Sequence, residues 1–240
     1  RMSRGLGDVY KRQMHYYIIK AAERRAHFFR NGYRKSTLCA IIRASAKYPK
    51  DWSSFMDINL ALFNTNIGRQ KPENIIHSEA ACPFCEPDKL TGIIETDDDI
   101  ILLKNKYNVL EGADQFVLIE GRECWADMPD YTPEHMHRLI AFGMRHWARL
   151  RRSGKYEAVL FFKNYGHYSG GTIRHPHMQL VGFPHLQTQL LFRRSDFEGL
   201  KVAEKDGVTL SLSAEPRVGF WELNIVPRDA SDTDTIADYI

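Results

Sequence analysis

The sequence predicts an α+β fold in which one long helix packs across an antiparallel sheet. Two observations carry this. Short apolar, β-branched runs at residues 99–106, 116–120, 157–164 and 177–183 are separated by Gly, Asp and Ser positions, which is how strands and their turns read. Between the second and third run, apolar residues recur at helical spacing over about four turns. The order strand, strand, helix, strand, strand, without regular βα alternation, points to an antiparallel sheet.

The helix is the best-signposted element. Thr132, Pro133 and Glu134 supply an N-cap, a proline at the first helical position and an acid in the first turn. Met136, Leu139, Ile140, Met144, Trp147 and Leu150 then form one apolar face. Arg145, Arg149, Arg151 and Arg152 follow toward the C-terminal end, where they complement the dipole; a solvated basic face is favoured over a nucleic-acid patch. Ser153-Gly154 ends the helix. Further strands are predicted at 208–212 and 218–226, and residues 233–240 read as the onset of a second helix.

Upstream, residues 1–13 contain GLGDVYKRQ, which resembles translated sequencing-adapter DNA, and are left out of the fold. Residues 14–55 are rich in Arg, Lys and aromatics, with a helix expected from about Tyr16 to Phe29. Met56 would serve as a natural start, so residues 1–55 are read as a doubtful extension, and whether 14–55 are native stays open.

The 240 residues are 43% hydrophobic and 26% charged, the balance of a soluble globular chain. A net charge of +3 is too small to argue for nucleic acid. No apolar run suffices for a membrane helix and no secretory signal stands out, so a cytoplasmic, reducing setting is expected, with neither nucleic acid nor membrane as partner. Of the four cysteines, Cys39, Cys82, Cys85 and Cys124, the Cys82–Cys85 pair has C-x-x-C spacing. By itself that reads as either a metal knuckle or a redox pair.

The densest chemistry lies in NYGHYSGGTIRHPHMQ, residues 164–179. In a strand, His175, His177 and Gln179 would alternate onto one face. A neutral imidazole attacks phosphorus well when its other nitrogen is held by a hydrogen bond. Glycine-rich backbone supplies amide donors for phosphoryl oxygens. A polar edge strand after a flexible loop is the plainer reading of the histidines alone; the loop together with Gln179 reverses it.

This stretch resembles the active-site motif of the galactose-1-phosphate uridylyltransferases, the transferase branch of the histidine triad superfamily. That motif is N-x-G, a spacer, G-x-S, two residues, then H-P-H-x-Q. The resemblance implies a histidine-triad-like sheet over residues 56–185, with 186–240 the start of a second, truncated half. It implies that His177 is the nucleophile and that Gln179 hydrogen-bonds the phosphoryl group. Asn164, Gly170 with Gly171, and Thr172 in place of the family's serine would line the substrate. The hydrolase branch has a third histidine where Gln179 stands, so transfer is favoured over hydrolysis. Residues 103–110 resemble the nucleoside-lining segment; Asn105 matches, whereas Lys106 replaces an acid. Residues 68–72, including Lys71, resemble a basic stretch that reaches a partner subunit's nucleotide, and a plain basic turn reads equally well.

The same resemblance implies a zinc (Zn2+) site made by the C-x-x-C, a later histidine and the first histidine of H-P-H. Here these become Cys82, Cys85, Cys124 in the histidine's place, and His175. Zinc in this position is structural, bracing the strand that presents His177. The function expected is a nucleotidyltransferase of galactose metabolism acting on a UDP-hexose-like sugar nucleotide through a nucleotidyl-histidine, in a homodimer. The alternatives are a dinucleoside polyphosphate phosphorylase or hydrolase, and a non-catalytic zinc-braced nucleotide-binding module.

Overall fold

The computed structural model describes residues 15–18, 61–68, 70, 82–164, 173–186, 194–216 and 221–240, with 15–18 and 65 described by backbone alone. In chain order its regular elements are β1 (His15–Ile18), α1 (Thr65–Gly68), β2 (Ile93–Asp97), β3 (Ile100–Lys104), β4 (Asp114–Ile119), α2 (Pro133–Arg152), β5 (Ala158–Asn164), β6 (His177–Phe183), β7 (Gly199–Lys205), β8 (Val208–Ser213), β9 (Leu223–Pro227) and α3 (Thr233–Tyr239). The sheets are antiparallel and the fold is α+β, as the sequence predicts. The larger sheet runs β1-β5-β6-β4-β3-β2, and β7-β8-β9 form a smaller meander.

Strand β6 sits at the centre of the large sheet, between β5 and β4. Its register pairs His177 with Ile119 and Gln179 with both Val117 and Phe162. Alternation along β6 sends Met178 and Leu180, both fully buried, to one face and His177 and Gln179, both half-buried, to the other.

Helix α2 covers the Met178 face. Met136, Leu139, Ile140, Phe142, Met144 and Trp147 pack there with Leu102, Leu118, Val159 and Phe161. Thr132 caps the helix as expected, its Oγ1 accepting from the His135 N–H at 3.3 Å. Trp147 Nε1 donates to the Val159 carbonyl at 2.9 Å and ties the helix to β5. Gly143 lets the Phe161 ring seat directly on the helix, in the space a Cβ would occupy. Val208, Ile236 and Ala237 join this core, so the small sheet and α3 share it. The opposite face of the large sheet carries Leu103, Val117 and Ile119 under Phe84 and Leu90, beside a second group around Leu110, Val181 and Phe183.

Three expectations need correction. The helix over 16–29 does not begin where predicted: His15–Ile18 is a strand paired antiparallel with β5. A Tyr-Tyr-Ile run suits a pleated edge better than a helix. Residues 19–29 lie outside the described set. Strands β2 and β7 go beyond the sequence expectation; β7 has almost no buried face, and a solvated strand leaves little hydrophobic pattern. The strand placed at 218–226 begins at Leu223, with 217–220 outside the described residues.

Candidate active site and metal centre

The Cys82–Cys85 segment is a 3-10 turn opened by Pro83, which presents both cysteines from one tight loop. Cys124 lies five residues beyond the end of β4, and His175 two residues before β6 begins. The β4–β6 ladder brings these distant segments together, and the Glu120 N–H to Pro176 carbonyl bond, 3.2 Å, extends it. The result is a cluster of Cys82, Cys85, Cys124 and His175 whose ligand atoms all lie within 4.8 Å of one another. This is the set the resemblance implied, and it could hold a metal ion.

His175 is completely buried. Its Nε2–H donates to the Gly121 carbonyl at 2.8 Å, while Nδ1 faces Cys85 Sγ at 3.6 Å. Burial works against its protonated form, but the Cys82 thiol and the Gly121 carbonyl outweigh that and leave its pKa raised. Burial, then the neighbouring Cys85 and Cys82, push the Cys124 thiol up to about 12. The Cys124 thiol therefore resists ionisation unless a cation joins it.

His177 is oriented through the same segment. Its Nδ1–H donates to the His175 carbonyl at 2.8 Å, which leaves Nε2 as the lone-pair nitrogen. Phe84, between the two cysteines, sets its ring edge-on against both histidines, with centroids 5.9 Å from His175 and 5.5 Å from His177. Gln179 follows on the same face of β6. Asn164 ends β5 on that face, two residues beyond Phe162, and its buried Oδ1 has no hydrogen-bond partner among the described residues.

Behind the sheet stands a buried ionic group. Lys163 Nζ lies 2.8 Å from Glu120 Oε2 and 3.1 Å from Asp127 Oδ1, and the Tyr131 hydroxyl donates to Glu120 Oε2 at 2.9 Å. Burial pushes the Glu120 carboxyl up, against the pull of Lys163 and Tyr131. His135 Nε2–H donates to the Glu120 carbonyl at 2.7 Å. Residues 120 and 121 are thus clamped on both sides, which fixes the acceptor that holds His175.

Asn105 sits in the turn after β3, where its Oδ1 accepts the Tyr107 N–H at 2.9 Å, a shaping role for this loop. Lys71, Gly170, Gly171 and Thr172 lie outside the described residues. Phe84, Gly121 and the Lys163–Glu120 pair were not foreseen. A phenylalanine inside C-x-x-C and a lysine within an apolar strand were the available signals. Among the described residues no helix is long and apolar enough to cross a membrane.

The family model described as "Domain of unknown function (DUF4931) N-terminal domain" matches residues 63–186, and its C-terminal counterpart matches 189–240. A crystal structure of a DUF4931 family protein from Bacillus cereus is 36% identical, with a TM-score of 0.59 over 61% of this chain and 68% of that one. Two uridylyltransferase structures share this fold at 16% identity. One, the structure of uridylyltransferase, has a TM-score of 0.54 over 76% of this chain and 69% of that one. The other, a uridylyltransferase mutant, has a TM-score of 0.52 over 68% and 66%. No curated protein sequence matches the chain.

Proposed function

The chain belongs to the DUF4931 family and has the fold of the uridylyltransferases, and from that premise we propose that it transfers a nucleotidyl group through His177. The observation that carries this is the 2.8 Å bond from His177 Nδ1–H to the His175 carbonyl, which puts the lone pair on Nε2 at a half-open sheet face. The substrate class is a sugar nucleotide of the UDP-hexose kind. Nε2 attacks the phosphorus bound to the nucleoside; the N–P bond forms as the P–O bond to the departing sugar phosphate breaks. An oxygen of a second phosphate then attacks the same phosphorus, the N–P bond breaks, and the imidazole is restored. The Gln179 amide donates to the phosphoryl oxygens, where charge grows in both transition states. Asn164, whose Oδ1 has no partner among the described residues, takes a donor from the substrate. The backbone amides of Gly170 and Gly171 and the Thr172 hydroxyl are proposed as the remaining donors.

Zinc is the metal proposed for Cys82, Cys85, Cys124 and His175. Three thiolates and an imidazole are a common structural zinc set, and tetrahedral bonds of about 2.3 Å to sulfur and about 2.0 Å to nitrogen separate S and N ligands by about 3.5 Å. The 3.6 Å between Cys85 Sγ and His175 Nδ1 fits. Bound there, the ion supplies structural bracing, while His177, Gln179 and Asn164 handle the nucleotide.

The test is covalent capture. Incubation with labelled UDP-glucose should leave an acid-labile nucleotide on His177, located by mass spectrometry. Labelling by diadenosine tetraphosphate alone would move the substrate class to dinucleoside polyphosphates. No label from either compound would remove the covalent mechanism.

A further inference from the structure

Two of the metal-site residues, Cys124 and His175, have exposed chain neighbours that meet each other. Arg174 stacks on Trp125, its Cζ 3.2 Å from the centre of the indole ring. Trp125 is 71% exposed, so its indole is left largely open to solvent. Among the described residues no carboxylate pairs with Arg174, whereas Arg122, Arg138, Arg145 and Arg149 each lie within 4 Å of one.

A staple between the two ligand-bearing segments would need no charge, since two apolar side chains would serve. A guanidinium laid flat on indole has its plane fixed while its N–H edges remain available. That is the arrangement in which arginine takes a phosphate through paired hydrogen bonds. Location agrees. Arg174 and His177 are three positions apart, a backbone span of at most about 11 Å.

Charge balance points the same way. Gln179 and Asn164 are neutral, and Lys163 is engaged on the helix side of the sheet with Glu120 and Asp127. A diphosphate brought to Nε2 of His177 carries more than one negative charge, and Arg174, which has no carboxylate partner among the described residues, lies three positions away along the chain. We propose that Arg174, held flat by Trp125, binds the second phosphate of a nucleoside diphosphate at this site. This rests on the nucleotidyl-transfer reading given above.

The experiment is calorimetric titration of the zinc-loaded full chain with UDP, UMP, ADP and AMP. Arg174→Gln should weaken both diphosphates about 10–100-fold, the loss of a charge-assisted pair of hydrogen bonds. Both monophosphates should stay within about twofold. Trp125→Ala should shift the diphosphates in the same direction by less, with zinc content unchanged in both variants. Equal losses for mono- and diphosphates, or no loss for either, would overturn the assignment while leaving the nucleotide reading intact. Loss of zinc along with affinity would make the pair a staple and likewise overturn it. Wild-type protein that binds none of the four nucleotides would remove the nucleotide reading and this inference with it.

Discussion

The carbonyl oxygen of His175 accepts the Nδ1–H of His177 at 2.8 Å, so one cluster residue sets the tautomer of the residue two positions along. His175 is itself held by the Gly121 carbonyl and faces three thiols. Orientation therefore passes from the cluster through a single backbone carbonyl to His177, the proposed nucleophile. Damage to that residue and damage to its support should then be separable.

His177→Ala removes the proposed nucleophile without touching a ligand of the cluster. Turnover should fall at least about 10³-fold, as when a covalent nucleophile is deleted. Zinc content and unfolding midpoint should stay near those of the wild type. A variant that still carries the acid-labile adduct would place the nucleophile elsewhere.

Loss of Cys124 should act through the proposed zinc site instead. Cys124→Ser replaces a thiolate with a poor zinc ligand and should lower zinc affinity by at least about tenfold. Because burial and its thiol neighbours hold the Cys124 thiol up near 12, binding at neutral pH must expel protons. Titrations in buffers of different ionisation enthalpy should show about one to three protons released per zinc, with affinity falling as pH falls. Zinc binding without proton release would mean the thiols are not the ligands.

The buried ion pair behind the sheet offers a stability test. Lys163→Met leaves Glu120 fully buried without its cation, and breaking such a pair costs about 3–5 kcal/mol. Adding Glu120→Gln should recover much of that loss, because the unpaired carboxyl is then gone. Urea unfolding of the two single variants and the double variant measures the coupling; strictly additive losses would mean that the two residues do not interact.

What could be read from the sequence follows the range of the interaction involved. Helix α2 was legible to its first residue because Thr132, Pro133 and Glu134 act within one turn. The half-buried alternation of His177 and Gln179 was legible for the same local reason. Cys124 joins Cys82, Cys85 and His175 only through the register of β4 on β6, which spacing does not encode; a family resemblance was needed to propose it. Lys163 looks like a solvent-facing break in an apolar strand, and its burial depends on Glu120 arriving from β4 and Asp127 from the following loop. His15–Ile18 misled because aromatic and basic residues near it suggested a helix, while its hydrogen-bonding partner, β5, lies far along the chain.

Helix α2 also predicts a pH dependence that is independent of the active site. His146 is 1% exposed; Arg149 donates to its Nδ1 at 2.9 Å, and its Nε2 lies 3.3 Å from Glu95 Oε2 without forming a hydrogen bond. Burial, followed by the Arg149 charge, lowers its pKa below 6.5, against the pull of Glu95 and with a smaller push from Arg145. The unfolded chain therefore takes up a proton at a higher pH than the folded one. Below about pH 6.5 the unfolded state binds more protons, so this residue's contribution to stability is present above that pH and is lost as pH falls through the folded value. The melting temperature of the wild type should drop between pH 7.5 and 5.5 by more than that of His146→Gln, which keeps an acceptor for Arg149 but does not titrate. Equal drops in the two proteins would show that His146 does not titrate differently in the folded and unfolded states.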